Sequence, residues 1–97
     1  MSSKLLADVK NYLDITWADE NTDAKVSGII QRGMIFLNAK AGGELDYSAE
    51  ERPKELLMEY CKYARNGILH EFKINYAPFL TDLRTKGGGA YGEATNI

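Results

Sequence analysis

Residues 5–43 read LLADVKNYLDITWADENTDAKVSGIIQRGMIFLNAKAGG, and the spacing of apolar side chains within them decides the fold class. Leu5, Leu6, Val9, Tyr12 and Leu13 recur at helical intervals, which predicts a first helix over 3–14, with Ser2 or Ser3 accepting the free N–H groups of its first turn. Ile15, Thr16 and Trp17 then interrupt the pattern. Asp19, Glu20 and Asn21 follow, polar residues that compete with helical hydrogen bonding. The segment reads as a tight acidic connection carrying two bulky apolar anchors, Ile15 and Trp17. A second helix is expected from Thr22 or Asp23, capped by Asn21 or Thr22, with Asp23 favourably placed against the helix dipole. Val26, Ile29, Ile30, Gly33, Met34 and Leu37 form its apolar stripe, and Gly42-Gly43 ends it.

Downstream, 44–52 reads as a loop. Ser48 and Glu51 have the spacing of a capping box, and Pro53 is tolerated in a first helical turn, so a third helix should begin between Ser48 and Pro53. Its stripe is Leu57, Cys61, Ala64 and Ile68, widened by Leu56, Tyr60 and Phe72. It is expected to be the longest helix, reaching about residue 74, with Asn66-Gly67 a point of kinking or early termination. Asn75 can cap a fourth helix with Pro78 in its first turn and Phe79, Leu80 and Leu83 on its apolar face. No alternating strand pattern occurs. The expectation is an all-α fold, a small bundle of about four helices in one domain over 1–85, followed by a flexible glycine-rich arm over 86–97 that holds four of the nine glycines.

Composition narrows the function classes. A chain of 97 residues supports one domain with a thin core, burying roughly 60 to 65% of its unfolded surface. Twelve basic residues against 14 acidic ones, for a net charge of −2, give no general attraction for phosphate backbones. The single cysteine excludes an intrachain disulfide. No apolar run approaches the roughly 18 residues of a membrane span, so no membrane partner is expected.

Candidate chemistry is sparse. Asp19, Asn21 and Asp23 match the first alternating ligands of a calcium loop, but Ala24 stands where that loop needs glycine and Ile30 where it needs a bidentate glutamate. Cys61 and His70 are nine residues apart, which places them on opposite faces of a continuous helix. Cys61 reads as a small core residue, and His70 as a helix residue near a C-terminal end. Gly87 to Gly89 lack the GK[ST] of a phosphate loop. No enzyme activity, metal or cofactor is expected. The aromatic content points instead to protein contacts: Tyr47, Tyr63 and Tyr76 are expected nearest the surface, and Tyr91 would serve as an aromatic anchor on the arm.

The first helix ending in VKNYLDIT, the acidic gap to Asp23 and the helix VSGIIQRGMIFLNAKAG closed by glycines resemble the head-tail connector, or adaptor, proteins of tailed bacteriophages, also described as phage DNA-packaging proteins. ELLMEYCKYARNGILHEF and NYAPFLTDLR are similar to that family's long helix and closing segment, so the resemblance covers about residues 4 to 85. It implies an all-α subunit of the virion, assembled in the host bacterial cytoplasm into a dodecameric ring on the portal protein. Such a ring extends the DNA channel without sequence-specific binding and meets a tail-completion or head-closure protein. Within that frame Trp17, Tyr63, Tyr76, Lys86 and Tyr91 are the expected partner-binding residues. The alternative is a small helical DNA-binding regulator, which would need a recognition helix with clustered Arg, Asn or Gln; neither the second nor the third helix offers one.

Overall fold

The computed structural model describes residues 3–86, and several of its helix boundaries have a local chemical cause. α1 spans Ser3–Tyr12, α2 Glu20–Ala41, α3 Arg52–Arg65, α4 Leu69–Asn75 and α5 Ala77–Lys86. The described residues are all-α, with no strand among them. Among the described residues there are five helices where about four are expected, and α2 is the longest at 22 residues, against 14 for α3.

The difference lies at Asn66-Gly67. Gly67 adopts a left-handed φ of +73°, its N–H donates to the Ala64 carbonyl at 3.1 Å, and the Ile68 N–H donates to the Tyr63 carbonyl at 3.0 Å. This pair of backward bonds is a Schellman motif, which satisfies the last free carbonyls of α3 and turns the chain out of the helix. The apolar pattern continues through Phe72 because α4 also packs inward. Period alone therefore cannot distinguish one long helix from two short ones meeting the same core.

The same device closes α1. Asp14 is left-handed at φ +61°, the Ile15 N–H reaches the Lys10 carbonyl at 2.8 Å, and the Asp14 N–H reaches Asn11 at 3.1 Å. Ile15 is thereby delivered into the core, 5% exposed. Trp17 is not a second anchor: it remains 48% exposed, its indole Nε1 donating to Thr22 Oγ1 at 3.4 Å. α2 starts earlier than expected because Asp19, and neither Asn21 nor Thr22, is its cap. The Asp19 carboxylate accepts from the Thr22 N–H at 3.2 Å and from the Thr22 hydroxyl at 2.8 Å. Lys10 of α1 pairs with Asp23 of α2 at 2.7 Å across the connection.

The capping box at Ser48 does not form. Ser48 instead donates its N–H and hydroxyl to Asp46 Oδ1, at 2.9 and 2.5 Å, and α3 is entered from Glu51 with Pro53 in its first turn. Asn75 closes α4, and α5 starts at Ala77 beyond it. Tyr47 is a further correction, since it is buried at 6% exposure. Its hydroxyl donates to Asn38 Oδ1 at 2.7 Å, and the same oxygen accepts the Leu45 N–H at 3.1 Å, so one α2 side chain pins the α2–α3 loop. Burial pushes the Tyr47 phenol well above its ordinary value.

The core is one contiguous cluster fed by every helix, from Val9 and Ile15 through Ile30, Leu37 and Leu57 to Phe72 and Leu83. α2 packs on α1, α3 and α5, while α4 bridges α3 and α5. At Gly33 a Cβ would lie 2.8 Å from both Leu57 Cδ1 and Tyr60 Cδ1, so the glycine sets the α2–α3 approach. Cys61 is a fully buried core residue whose thiol is pushed up to about 12 by desolvation, and His70 is exposed on α4. No described helix is long and apolar enough to cross a membrane.

Candidate docking surfaces

Aromatic side chains radiate from Phe72 toward the surface. Its ring lies 5.0 Å from Tyr76, 5.7 Å from Tyr60, 5.8 Å from Tyr63 and 6.3 Å from Phe36. The series extends from Tyr76 to Phe79 at 5.9 Å. Such edge and offset arrangements add about 0.5 to 1.5 kcal/mol per pair beyond area burial. Phe72 is wholly buried, Phe36, Tyr63 and Tyr76 are half-buried, and Phe79 is 40% exposed. The cluster thus passes from core to surface without a polar break.

It opens on two sides. The first groove, of about 470 Å³, runs between α3 and Phe79 of α5, with Tyr12 of α1 and Tyr76 at its edges and Met58 in its wall. Its polar centre is Glu59, which accepts hydrogen bonds from the Tyr12 hydroxyl and, at 3.0 Å, from the Tyr76 hydroxyl. Burial first, then the bond to Glu59, pushes the Tyr76 phenol up to about 12, so it stays a neutral donor. Arg52 lies over the Phe79 ring, 4.5 Å from its centroid. Lys54, also in the groove lining and 4% exposed, holds Asp8 at 2.9 Å and Glu50 at 2.6 Å. Its hydrogen bonds to those carboxylates raise the ammonium and lower Asp8.

The second groove, of about 390 Å³, lies between the C-terminal half of α2, α4 and α5, with Phe36 and Leu80 among its apolar lining. Lys40, Lys73 and Arg84 line it with no acidic side chain beside them. The Lys40 and Lys73 ammonium groups each lie 5.4 Å from the Phe36 centroid, within cation–π range. Among the described residues no carboxylate pairs with any of the three.

Of the residues expected from sequence, Tyr63 and Tyr76 are brought together, 5.9 Å apart edge to face. Trp17 belongs to neither groove and makes no part of that cluster. The Lys86 side chain, Tyr91 and the rest of the glycine-rich arm lie outside the described residues. Sequence reasoning missed Phe36, Lys40, Lys73 and Arg84 as a set. The one available signal was local: Phe36 and Lys40 stand at i, i+4. Among the described residues no group of three His, Cys, Asp or Glu side chains could hold a metal ion. No family model, curated protein or solved structure matches the chain.

Proposed function

We propose that this chain is a structural subunit of a phage-type head-tail connector, forming a ring on a portal vertex that extends the DNA channel and links capsid to tail. The observation that carries the reading is the pair of unlike grooves on one small body. One is a mixed-charge aromatic groove around Glu59, and the other is purely cationic around Phe36. A ring built by rotation uses heterologous contacts, in which each subunit presents two different faces. The resemblance of residues 4–85 to connector proteins supplies the context, and among the described residues no convergent polar set surrounds a nucleophile, which argues against catalysis as the role. Tyr12, Tyr76 and Phe79 form the surface on which an apolar partner segment would seat, as aromatic side chains do at interface centres.

The test is mass by light scattering, with electron microscopy of any large species, for the chain alone and mixed with its portal protein. A ring with a central hole supports the connector reading. Failure to form rings even on the portal would overturn it. A dimer that shifts labelled duplex DNA at physiological salt would favour the regulator instead.

A further inference from the structure

We propose that the cationic groove around Phe36 receives the exposed Trp17 and its neighbouring carboxylates from a second copy of this chain, so that α2 joins subunits head to tail. The inference rests on the ring reading and names the contact within it. Trp17 is 48% exposed, and Asp14, Asp19 and Glu20 beside it in sequence are exposed as well. That end of the subunit offers an exposed indole with Asp19 and Glu20 close in sequence, while Asp14 shares a cleft with Lys62 and Arg65. At the far end of α2, the groove offers a half-buried ring among Lys40, Lys73 and Arg84. The 22 residues of α2 separate the two ends by about 33 Å at 1.5 Å per residue. One chain cannot bring its own Trp17 to its own groove. The carboxylates of Asp19 and Glu20 and the cations of the groove suit intermolecular pairing, and groove-to-groove contact would set like charges against each other. An aromatic floor with only three cations fits an indole and carboxylates better than a phosphate backbone, which rewards denser charge.

Two full-length variants isolate the contact. The donor, K40E/K73E, keeps Trp17 but has a reversed groove; the acceptor, W17S/E20K, keeps the groove but has lost its acidic end. All four positions are exposed, and circular dichroism checks that each variant is folded. Trp17 is the only tryptophan in the chain, so emission reports its surroundings directly. Each variant alone should remain monomeric. Mixing should give a heterodimer with blue-shifted emission, weakened by salt. An acceptor that also carries K40E/K73E should bind at least roughly tenfold more weakly, because like charges then face each other. Unchanged emission in excess acceptor, or an equal shift with the reversed acceptor, would overturn the pairing. So would a shift of duplex DNA by the wild-type chain that K40E/K73E abolishes while mixing leaves Trp17 emission unchanged, since the groove would then belong to nucleic acid. Wild-type rings without the heterodimer contact would overturn this pairing and leave the connector reading standing. The heterodimer contact without rings on the portal would do the reverse.

Discussion

Lys54 is buried at the base of α3 between Asp8 and Glu50, and the three charges give the molecule two pH limits. Asp8 is lowered from its ordinary 3.8, chiefly by its bond to Lys54 and then by Lys4. Its contribution is fully present above 3.8 and is lost as pH falls through the depressed folded value. Lys54 is raised from 10.5 by Asp8 and then Glu50, so its contribution is complete below 10.5 and is lost as pH rises through the raised value. Urea denaturation as a function of pH should show both limbs. In K54M both limbs should become shallower, the alkaline one keeping a remnant from Cys61, Tyr47, Tyr60 and Tyr76, whose neutral forms burial favours, and the acid one a remnant from Asp19 and Asp46, whose carboxyls are also lowered by local hydrogen bonds. An acid limb of unchanged steepness would refute the coupling. Gly33 and Gly28 make a second residue-scale contrast. G33A drives a Cβ into Leu57 and Tyr60 and should destabilise by about 1 to 3 kcal/mol. G28A meets only the Arg32 guanidinium at 3.3 Å and should stabilise by about 0.5 to 1 kcal/mol through helix propensity. Chemical denaturation of the two variants checks both signs. Neither Lys54 nor Tyr47 was legible as buried in the sequence. Each is buried because its polar tip meets a partner on another segment, Asp8 and Asn38 respectively, and pairings across 46 and 9 positions leave no local periodicity.

Among the helices, the stripes were legible because burial imposes a period of 3.6 residues, and the ends were less so. Gly42 was readable as a stop, and it does close α2 at φ +86°. Asn66-Gly67 marks a place where α3 can bend or end early, but the apolar spacing runs on through Phe72 and conceals a second helix. The start of α2 is less legible for the opposite reason: Asn21 and Thr22, the expected caps, stand beside Asp19, a residue type equally competent to cap. The choice fell to Asp19 because its carboxylate reaches both the N–H and the hydroxyl of Thr22. At Gly42 and Gly67 an added Cβ would meet nothing within 4 Å, so alanine there carries only the left-handed backbone penalty. G42A and G67A should each lose about 1 to 2 kcal/mol, measured as a shift of the urea midpoint at constant slope. A neutral G67A would mean that α3 and α4 can fuse into one helix without loss.

The whole described body measures 45 × 26 × 17 Å between Cα atoms. The shortest dimension has room for no more than two helices side by side at the usual axis spacing of roughly 8 to 10 Å, so no helix can be shielded on all sides. Its radius of gyration of 13.5 Å exceeds the roughly 12 Å of an equally long spherical domain. A thin body of this kind depends on few central residues, and Phe72 is the one whose ring meets α2, α3 and the α4–α5 joint together. The same ring supports Phe36 and Tyr76, which line one groove each, so stability and surface shape share an origin. F72A should lose about 3 to 5 kcal/mol from a total on the order of 5 to 15 kcal/mol, while F72L should lose markedly less. Because the core is continuous from Val9 to Leu83, the loss should not stay local. Amide exchange in α1, remote from the substitution in sequence, should accelerate with that in α5, and far-UV circular dichroism should follow one transition. If α1 kept its protection in F72A while α5 lost it, the body would consist of two units meeting at α2, and the two grooves could then reshape independently.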